Sequence, residues 1–471
     1  MIDFSATYTD YYQLVMAQAY YLKHNHEKEA VFDYFFRKLP FDGGYAVFAG
    51  LDTVLDVLEE LHFNNDDLIF LGKQGFDEGF IRYLKNFRFR GSIYSSMEGD
   101  IVFPFRPVLQ VEANIIEAQI IETILLNIFN FQTLIASKAS RMRIAAGKKK
   151  LMDFGLRRSQ GTGGYHASRA AIVGGFDSTS NVKAAIDFNI PVAGTMAHSF
   201  IQSYDDELTA FRDFALCNPD NCILLVDTYN TLKSGLPNAI KIGREMENRG
   251  HRLRGIRLDS GDLAYLARES RRMLDEASLH YVTIAVSNQL DEYIIRSLLE
   301  QGAPVDSFGV GTRLIAGMPD GALDGVYKLA YADKKPRIKL SESQAKITLP
   351  HRKQVYRVRK HGGIIAGADV ITLRDEVKVN TMHHIFEPGK SMHFNGHSLE
   401  PLLHNVMVNG KRIFPPKELE MIRDYSQKRL EELPFEYKRF ENPHIYKVGI
   451  SDKLRDERDL LIEKHKKQLI L

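Results

Sequence analysis

From Leu151 onward the chain repeats one pattern: a short apolar run, a polar turn, then a helical stretch of roughly 10 to 15 residues. The apolar runs fall at 151–154, 191–195, 223–227, 255–258, 282–286 and 307–310, with 326–331 as a further candidate. Helical patterns fit at 203–216, 235–249, 262–277 and 290–301. Brief runs that are apolar throughout suit strands buried on both faces, and strands alternating with helices make a parallel sheet. So many units, each with polar residues just past the strand, favour an α/β fold built as an irregular, closed or nearly closed parallel β/α barrel. An open doubly wound sheet is the alternative.

At 471 residues the chain is long enough for about three domains. Residues 1–150 read as an N-terminal α+β domain with a long connecting helix, 151–331 as the β/α barrel, and 332–471 as a C-terminal cap ending in a charged helix. The apolar segment 115–136 carries Glu117, Gln119, Glu122, Asn127, Asn130 and Gln132, so a buried helix is expected there and not a membrane span. Basic and acidic residues number 62 and 60, which gives no global pull toward nucleic acid or membrane. Cys217 and Cys222 are too few for a disulfide framework and show no zinc spacing. With no secretory signal pattern at the N-terminus, the expected compartment is the cytoplasm.

The strand ends carry the chemistry. Phe154, Gly155, Arg157 and Arg158 follow the first, and Gly194, Thr195 and His198 close the second. Asp227, Thr228 and Tyr229 follow the third, and Arg257, Asp259, Ser260 and Asp262 lie at the fourth. Ser287 and Asn288, then Gly309, Gly311 and Thr312, complete the series. Taken singly, each has a structural explanation such as a helix cap or a tight turn. Capping does not call for an arginine, two aspartates and a histidine on different strands, and the set fits phosphate-ester binding. Arginines offer planar donors to phosphate or carboxylate oxygens, Gly309 and Gly311 give close backbone N–H groups, and Thr312 adds a hydroxyl. Asp259 and Asp262 suit Mg²⁺ or ribose hydroxyls, with helix capping equally open for Asp262. The imidazole of His198 can serve as base, phosphate ligand or covalent phosphoryl acceptor, and the residues alone leave these three open.

Longer motifs add a resemblance. TDYYQLVMAQAY, DFGLRRSQG, ASRAAIVGGFDSTSN, PVAGTMAHSF, LLVDTYNTLKSGLPNAI, IRLDSGDL, FGVGTRL, VYKLA and KITLPHRKQVYR together make the chain similar to the nicotinate phosphoribosyltransferases, and the likeness spans nearly its whole length. These are type II phosphoribosyltransferases related to the nicotinamide and quinolinate enzymes. The resemblance implies an ATP-dependent, ligase-type reaction: nicotinate and 5-phosphoribosyl 1-diphosphate give nicotinate mononucleotide and diphosphate, the entry step of NAD salvage from nicotinate. It implies Mg²⁺, ATP as co-substrate, and a homodimer with shared active sites.

Position by position, the resemblance implies that His198 is the histidine phosphorylated by ATP. Thr195 and Arg257 then contact nicotinate, and Phe154 stacks on its ring, with Tyr12 as a second ring partner donated by the neighbouring subunit. Arg157 and Thr312 contact phosphate, and Asp259 is a ribose or diphosphate ligand. Ser180 stands where the nicotinamide relative has an aspartate. A carboxylate there would repel nicotinate, so neutral Ser180 beside Arg257 favours the acid over the amide. Two positions depart from the family pattern: Ser178 and His351 stand where glycine is common.

Two other readings are weaker. A phosphosugar isomerase or aldolase would need a lysine or a paired acid and base at strand ends, and no strand end offers an obvious lysine. A non-catalytic nucleotide-binding descendant of the fold is disfavoured by the joint presence of the arginines, His198 and Asp259.

Overall fold

The computed structural model describes residues 4–343, 346–360 and 362–470. Their contacts form two compact units where the sequence suggests three regions. One runs from Lys138 to Gly321; the other joins the residues up to Ser137 with those from Ala322 onward.

The Lys138–Gly321 unit is α/β with one parallel six-stranded sheet. Its strands are β1 (Lys150–Asp153), β2 (Ser178–Thr179), β3 (Ile223–Leu225), β4 (Gly255–Leu258), β5 (Thr283–Ser287) and β6 (Ser307–Val310). They lie in the order β2-β1-β6-β5-β4-β3, so the first strand in sequence pairs with the last. Leu151, Leu224, Ile256, Ile284 and Phe308 are fully buried in the middle of this sheet, as the continuous apolar runs require. Helices Leu236–Glu247, Leu263–Glu276 and Glu292–Glu300 follow β3, β4 and β5. Asp262 caps the second, accepting a hydrogen bond from the Tyr265 N–H at 3.0 Å, and Asp291 caps the third.

Two expected strands differ. The 191–195 run contributes only a single parallel bridge, Thr179 to Val192, because the strand beside it is Ser178–Thr179, in a segment that its Asp, Ser, Thr and Asn content marks as a turn. The 326–331 run is a strand, Gly325–Ala332, but it belongs to the other unit. There it pairs antiparallel with Glu29–Phe36, and Phe32 and Tyr327 stack with ring centroids 4.7 Å apart.

That second unit contains an antiparallel seven-stranded sheet in the order Lys335–Pro336, Gly325–Ala332, Glu29–Phe36, Leu109–Asn114, Ser92–Ser95, His404–Val408 and Lys411–Arg412. Strands from both ends of the chain therefore share one sheet. A further six-stranded sheet is built wholly from residues 353–450. Arg357 on it is completely buried and reaches Asp100 at 3.1 Å and Asp369 at 3.1 Å. The 115–136 segment is helical, as Ile115–Ile120 and part of Glu122–Ala146, and its Glu117, Gln119 and Glu122 are buried. No helix among the described residues is long and apolar enough to cross a membrane.

The two departures from the family pattern behave differently. Ser178 is an ordinary strand residue on β2. His351 has φ 69°, a left-handed conformation that glycine adopts freely and histidine does not, and it is anchored to Glu457 at 3.2 Å.

Candidate functional site

The carboxyl ends of β1, β4, β5 and β6 bring their side chains together around Arg257. This residue lies on β4, and its guanidinium is divided among three partners. Nε donates to Ser287 Oγ at 2.8 Å, Nη1 to Thr195 Oγ1 at 3.1 Å, and Nη2 to Asp259 Oδ1 at 2.8 Å. Its Cζ stands 5.4 Å from the centroid of the Phe154 ring. The planar fork is thus held in one orientation by groups from three separate stretches of chain.

Asp259 is the second hub. Its Oδ1 also accepts from the Ser287 hydroxyl, and its backbone N–H donates to Asp227 Oδ2 at 2.8 Å, which takes a further bond from Ser260 Oγ at 2.6 Å. Burial by itself would raise the Asp259 carboxyl, but hydrogen bonds from Ser287 and Arg257 and the nearby positive charge outweigh it and hold the group below the usual carboxylate range. His198 opens a short helix, His198–Gln202; its Nε2 lies 3.9 Å from Asp259 Oδ2, and its Nδ1 is 3.1 Å from Thr228 Oγ1.

The aromatic side of the site is fixed by β1 and β6. Phe154 donates its N–H to Val310 O at 2.8 Å, and its ring lies against Gly309, where a Cβ would collide with Cε2 and Cδ2. Gly309 is therefore needed for the position of the ring, a packing role that its place in a glycine turn motif did not suggest. Gly311 packs beside the Phe154 carbonyl, and Thr312 begins the short helix after β6.

Beneath Phe154, Asp153 is fully buried and accepts from Gly155 N at 2.8 Å, Ser168 Oγ at 2.7 Å and Thr179 Oγ1 at 2.7 Å. Burial raises its carboxyl above the ordinary value, and the three hydrogen bonds oppose the rise. Ser180, exposed just beyond β2, donates its N–H to Asp153 O at 2.8 Å.

The residues singled out from the sequence thus separate into groups. Phe154, Thr195, His198, Arg257 and Asp259 form one connected cluster, with Gly309 against the ring. Arg157 is exposed on the turn Leu156–Arg158, and Asp262 is engaged as a helix cap; neither shares a hydrogen bond with the cluster among the described residues. Tyr12 belongs to the other compact unit, on helix Tyr11–Leu22, where it is half-exposed. Burial first, then Glu122 and Asp10, raises its phenol. Sequence reasoning placed Ser287, Thr228 and Asp227 in the strand-end series without a role of their own and passed over Asp153, although it too is a polar residue at a strand end.

For magnesium the relevant donors are carboxylate oxygens. Asp227 Oδ1 is buried without a hydrogen-bond partner, and Asp259 Oδ2 lies outside the hydrogen bonds made by Oδ1. No group of three or more His, Cys, Asp or Glu side chains is clustered for a metal among the described residues. One or two carboxylate oxygens completed by substrate phosphates and water is nevertheless the ordinary magnesium arrangement, so the residues fit such an ion.

Comparison with known proteins covers most of the chain. Residues 7–130 match the nicotinate phosphoribosyltransferase N-terminal domain, 149–390 the nicotinate phosphoribosyltransferase family, and 352–458 the corresponding C-terminal domain. Nicotinate phosphoribosyltransferase of Bacillus subtilis is 43% identical over 463 residues, covering 96% of this chain and 94% of the relative. That of Dictyostelium discoideum is 35% identical over 509 residues, covering 95% and 86%. The crystal structure of human nicotinic acid phosphoribosyltransferase superposes with a TM-score of 0.86 at 30% identity, covering 96% of this chain and 99% of that one. Nicotinate-nucleotide pyrophosphorylase from Pyrococcus furiosus superposes with a TM-score of 0.71 at 25% identity, covering 91% and 95%.

Proposed function

Because the chain belongs to the nicotinate phosphoribosyltransferase family, we propose that it joins nicotinate to 5-phosphoribosyl 1-diphosphate, giving nicotinate mononucleotide and diphosphate, with ATP hydrolysis coupled through a phosphohistidine at His198. The observation that carries this reading is the Arg257 cluster: a cation oriented by Thr195, Ser287 and Asp259 stands beside the Phe154 ring, with His198 one contact away. A flat aromatic carboxylate has its two needs met there, a ring to stack on and a guanidinium for its charge.

In this mechanism Phe154 and Arg257 align the pyridine nitrogen with the anomeric carbon of the sugar, so positioning lowers much of the barrier. Tyr12 from a neighbouring subunit would cover the other face of the ring, which makes the working form a homodimer. Gly311, Thr312 and Arg157 take the phosphate oxygens. Magnesium held by Asp259, with Asp227 or Asp262 as second carboxylate, would neutralise the departing diphosphate. At His198, Nδ1 is occupied by Thr228, leaving Nε2 to accept the γ-phosphoryl group while ADP leaves. Exposed, neutral Ser180 lets the anionic base approach where a carboxylate would repel it.

The cyclic strand order, with β1 against β6 and the Val192 bridge beyond β2, supports reading the sheet as an irregular barrel open along one seam between Val192 and β3. The place of such an enzyme is the cytoplasm, at the entry of nicotinate into NAD salvage.

The test is to supply purified protein with Mg-ATP, the sugar diphosphate and either nicotinate or nicotinamide, then follow mononucleotide and ADP together. Nicotinate mononucleotide with matching ADP is expected. Product from nicotinamide alone would overturn the Ser180 argument, and product from neither would favour a binding protein.

A further inference from the structure

We infer that Asp153 is a positioning residue for base selection, one buried carboxylate that sets both the turn aiming Phe154 and the segment presenting Ser180. The inference rests on the proposed reading of the site as a nicotinate pocket. Its basis is the way the two oxygens divide their work. Oδ1 accepts from Gly155 N–H at 2.8 Å, which fixes the backbone immediately after Phe154. Oδ2 accepts from Thr179 Oγ1 at 2.7 Å and Ser168 Oγ at 2.7 Å. Thr179 in turn accepts from Asn181 N–H at 3.0 Å, while Ser180 N–H between them binds the Asp153 carbonyl at 2.8 Å. Ser180 is thereby held on both sides by groups that answer to Asp153.

No salt bridge to Asp153 occurs among the described residues, so its charge is balanced by three converging donors alone. A buried carboxylate in that situation is costly for mere stability, and an apolar side chain would fill the space more cheaply. What the carboxylate provides is acceptor capacity on both sides at once. Asparagine has an oxygen on one side only. The Gly155 N–H is a fixed donor and must keep the amide oxygen, so the NH₂ turns toward the Thr179 and Ser168 hydroxyls, which must redirect the protons they now give Oδ2: Ser168 has Gly164 O at 3.0 Å, whereas Thr179 is left the longer contact to Ser168 Oγ at 3.4 Å. Asp153→Asn should therefore keep the Phe154 turn and loosen Ser180.

The experiment compares wild type, Asp153→Asn, Thr179→Val and Thr179→Ser, each checked for folding by its thermal transition. For each, kcat and KM are measured with nicotinate and nicotinamide, and amide hydrogen exchange is measured across 153–157 and 178–183. Asp153→Asn and Thr179→Val should raise KM for nicotinate and lower the nicotinate preference in kcat/KM by about tenfold, the effect of one buried hydrogen bond. KM for the sugar diphosphate should stay within about twofold, and Thr179→Ser, which keeps the hydroxyl, should restore the wild-type preference. Exchange should accelerate over 178–183 and stay slow over 153–157. Folded variants with unchanged preference and unchanged exchange would overturn the inference, as would an equal loss for every substrate. If wild type itself transfers neither base, the functional reading has failed, and protection over 178–183 that survives Asp153→Asn then overturns the positioning as well.

Discussion

Arg257 and Asp259, two residues apart at and just past the end of one strand, close an ion pair of 2.8 Å, so the guanidinium is oriented by its own neighbour. The alternating side-chain directions of a strand make that pairing local, while Thr195 and Ser287 add the restraints that only the fold supplies. Arg257→Lys keeps the charge and loses the fork. We expect KM for nicotinate to rise about 10- to 100-fold, in line with loss of one or two charge-assisted hydrogen bonds. Steady-state kinetics checks this, and an unchanged KM would remove Arg257 from the pocket.

Gly309→Ala should push the Phe154 ring aside, because the new methyl would collide with its Cε2 and Cδ2. The expected cost is about 1–3 kcal/mol of stability, as for other overpacked sites. KM for nicotinate should rise while KM for ATP holds. Thermal denaturation together with kinetics separates the two effects.

His198→Ala should abolish the ATP-stimulated part of turnover and leave slow, uncoupled transfer. Assays with and without ATP decide it: equal loss in both would assign His198 to the transfer step itself. Thr228→Val, which leaves Nδ1 without its partner, should weaken coupling without abolishing it.

Acid should weaken the site through Asp259. Its carboxyl is held below the ordinary value in the folded chain, so the associated stability is present above the unfolded pKa of about 4 and is lost as pH falls through the lower folded value. Ser287→Ala removes one of the hydrogen bonds that depress it. Urea midpoints measured from pH 7 down to pH 3 should show a shallower acid loss in the variant, and a steeper one would reverse the argument.

In the other unit, Asp100 accepts from buried Arg357 at 3.1 Å and buried Arg429 at 2.8 Å. Burial alone would raise its carboxyl, but Arg357, Arg429 and Arg106 hold it well below the usual range. Asp100→Ala removes one carboxylate from buried cations that keep Asp369, Glu400 and Glu432, and should cost about 1–3 kcal/mol in chemical denaturation, the scale of lost hydrogen bonds between charged groups. The folded fraction should keep its KM values, since no residue of the Arg257 cluster is involved.

Much of the Lys138–Gly321 unit was legible in the chain, because parallel strands buried on both faces leave continuous apolar runs and their ends carry the polar residues. Runs at 255–258 and 307–310 coincide with β4 and β6, and His198, Arg257 and Asp259 stand out as strand-end groups without any contact being known. Three things required the tertiary structure. Gly325–Ala332 has the same apolar character as a barrel strand, yet it pairs with Glu29–Phe36, since local pattern says that a segment is a strand and not which neighbour it finds. Ser178–Thr179 reads as a turn from its polar residues, yet it is a strand beside β1, and the Thr179 hydroxyl is satisfied there by Asp153, a partner supplied from another strand. Ser287 and Asp153 look ordinary in the sequence, and their importance lies in which distant donors and acceptors converge on them. Periodicity and residue type are properties of a segment and survive in one dimension; hydrogen-bond convergence is a property of the packed chain and exists only once the strands lie side by side.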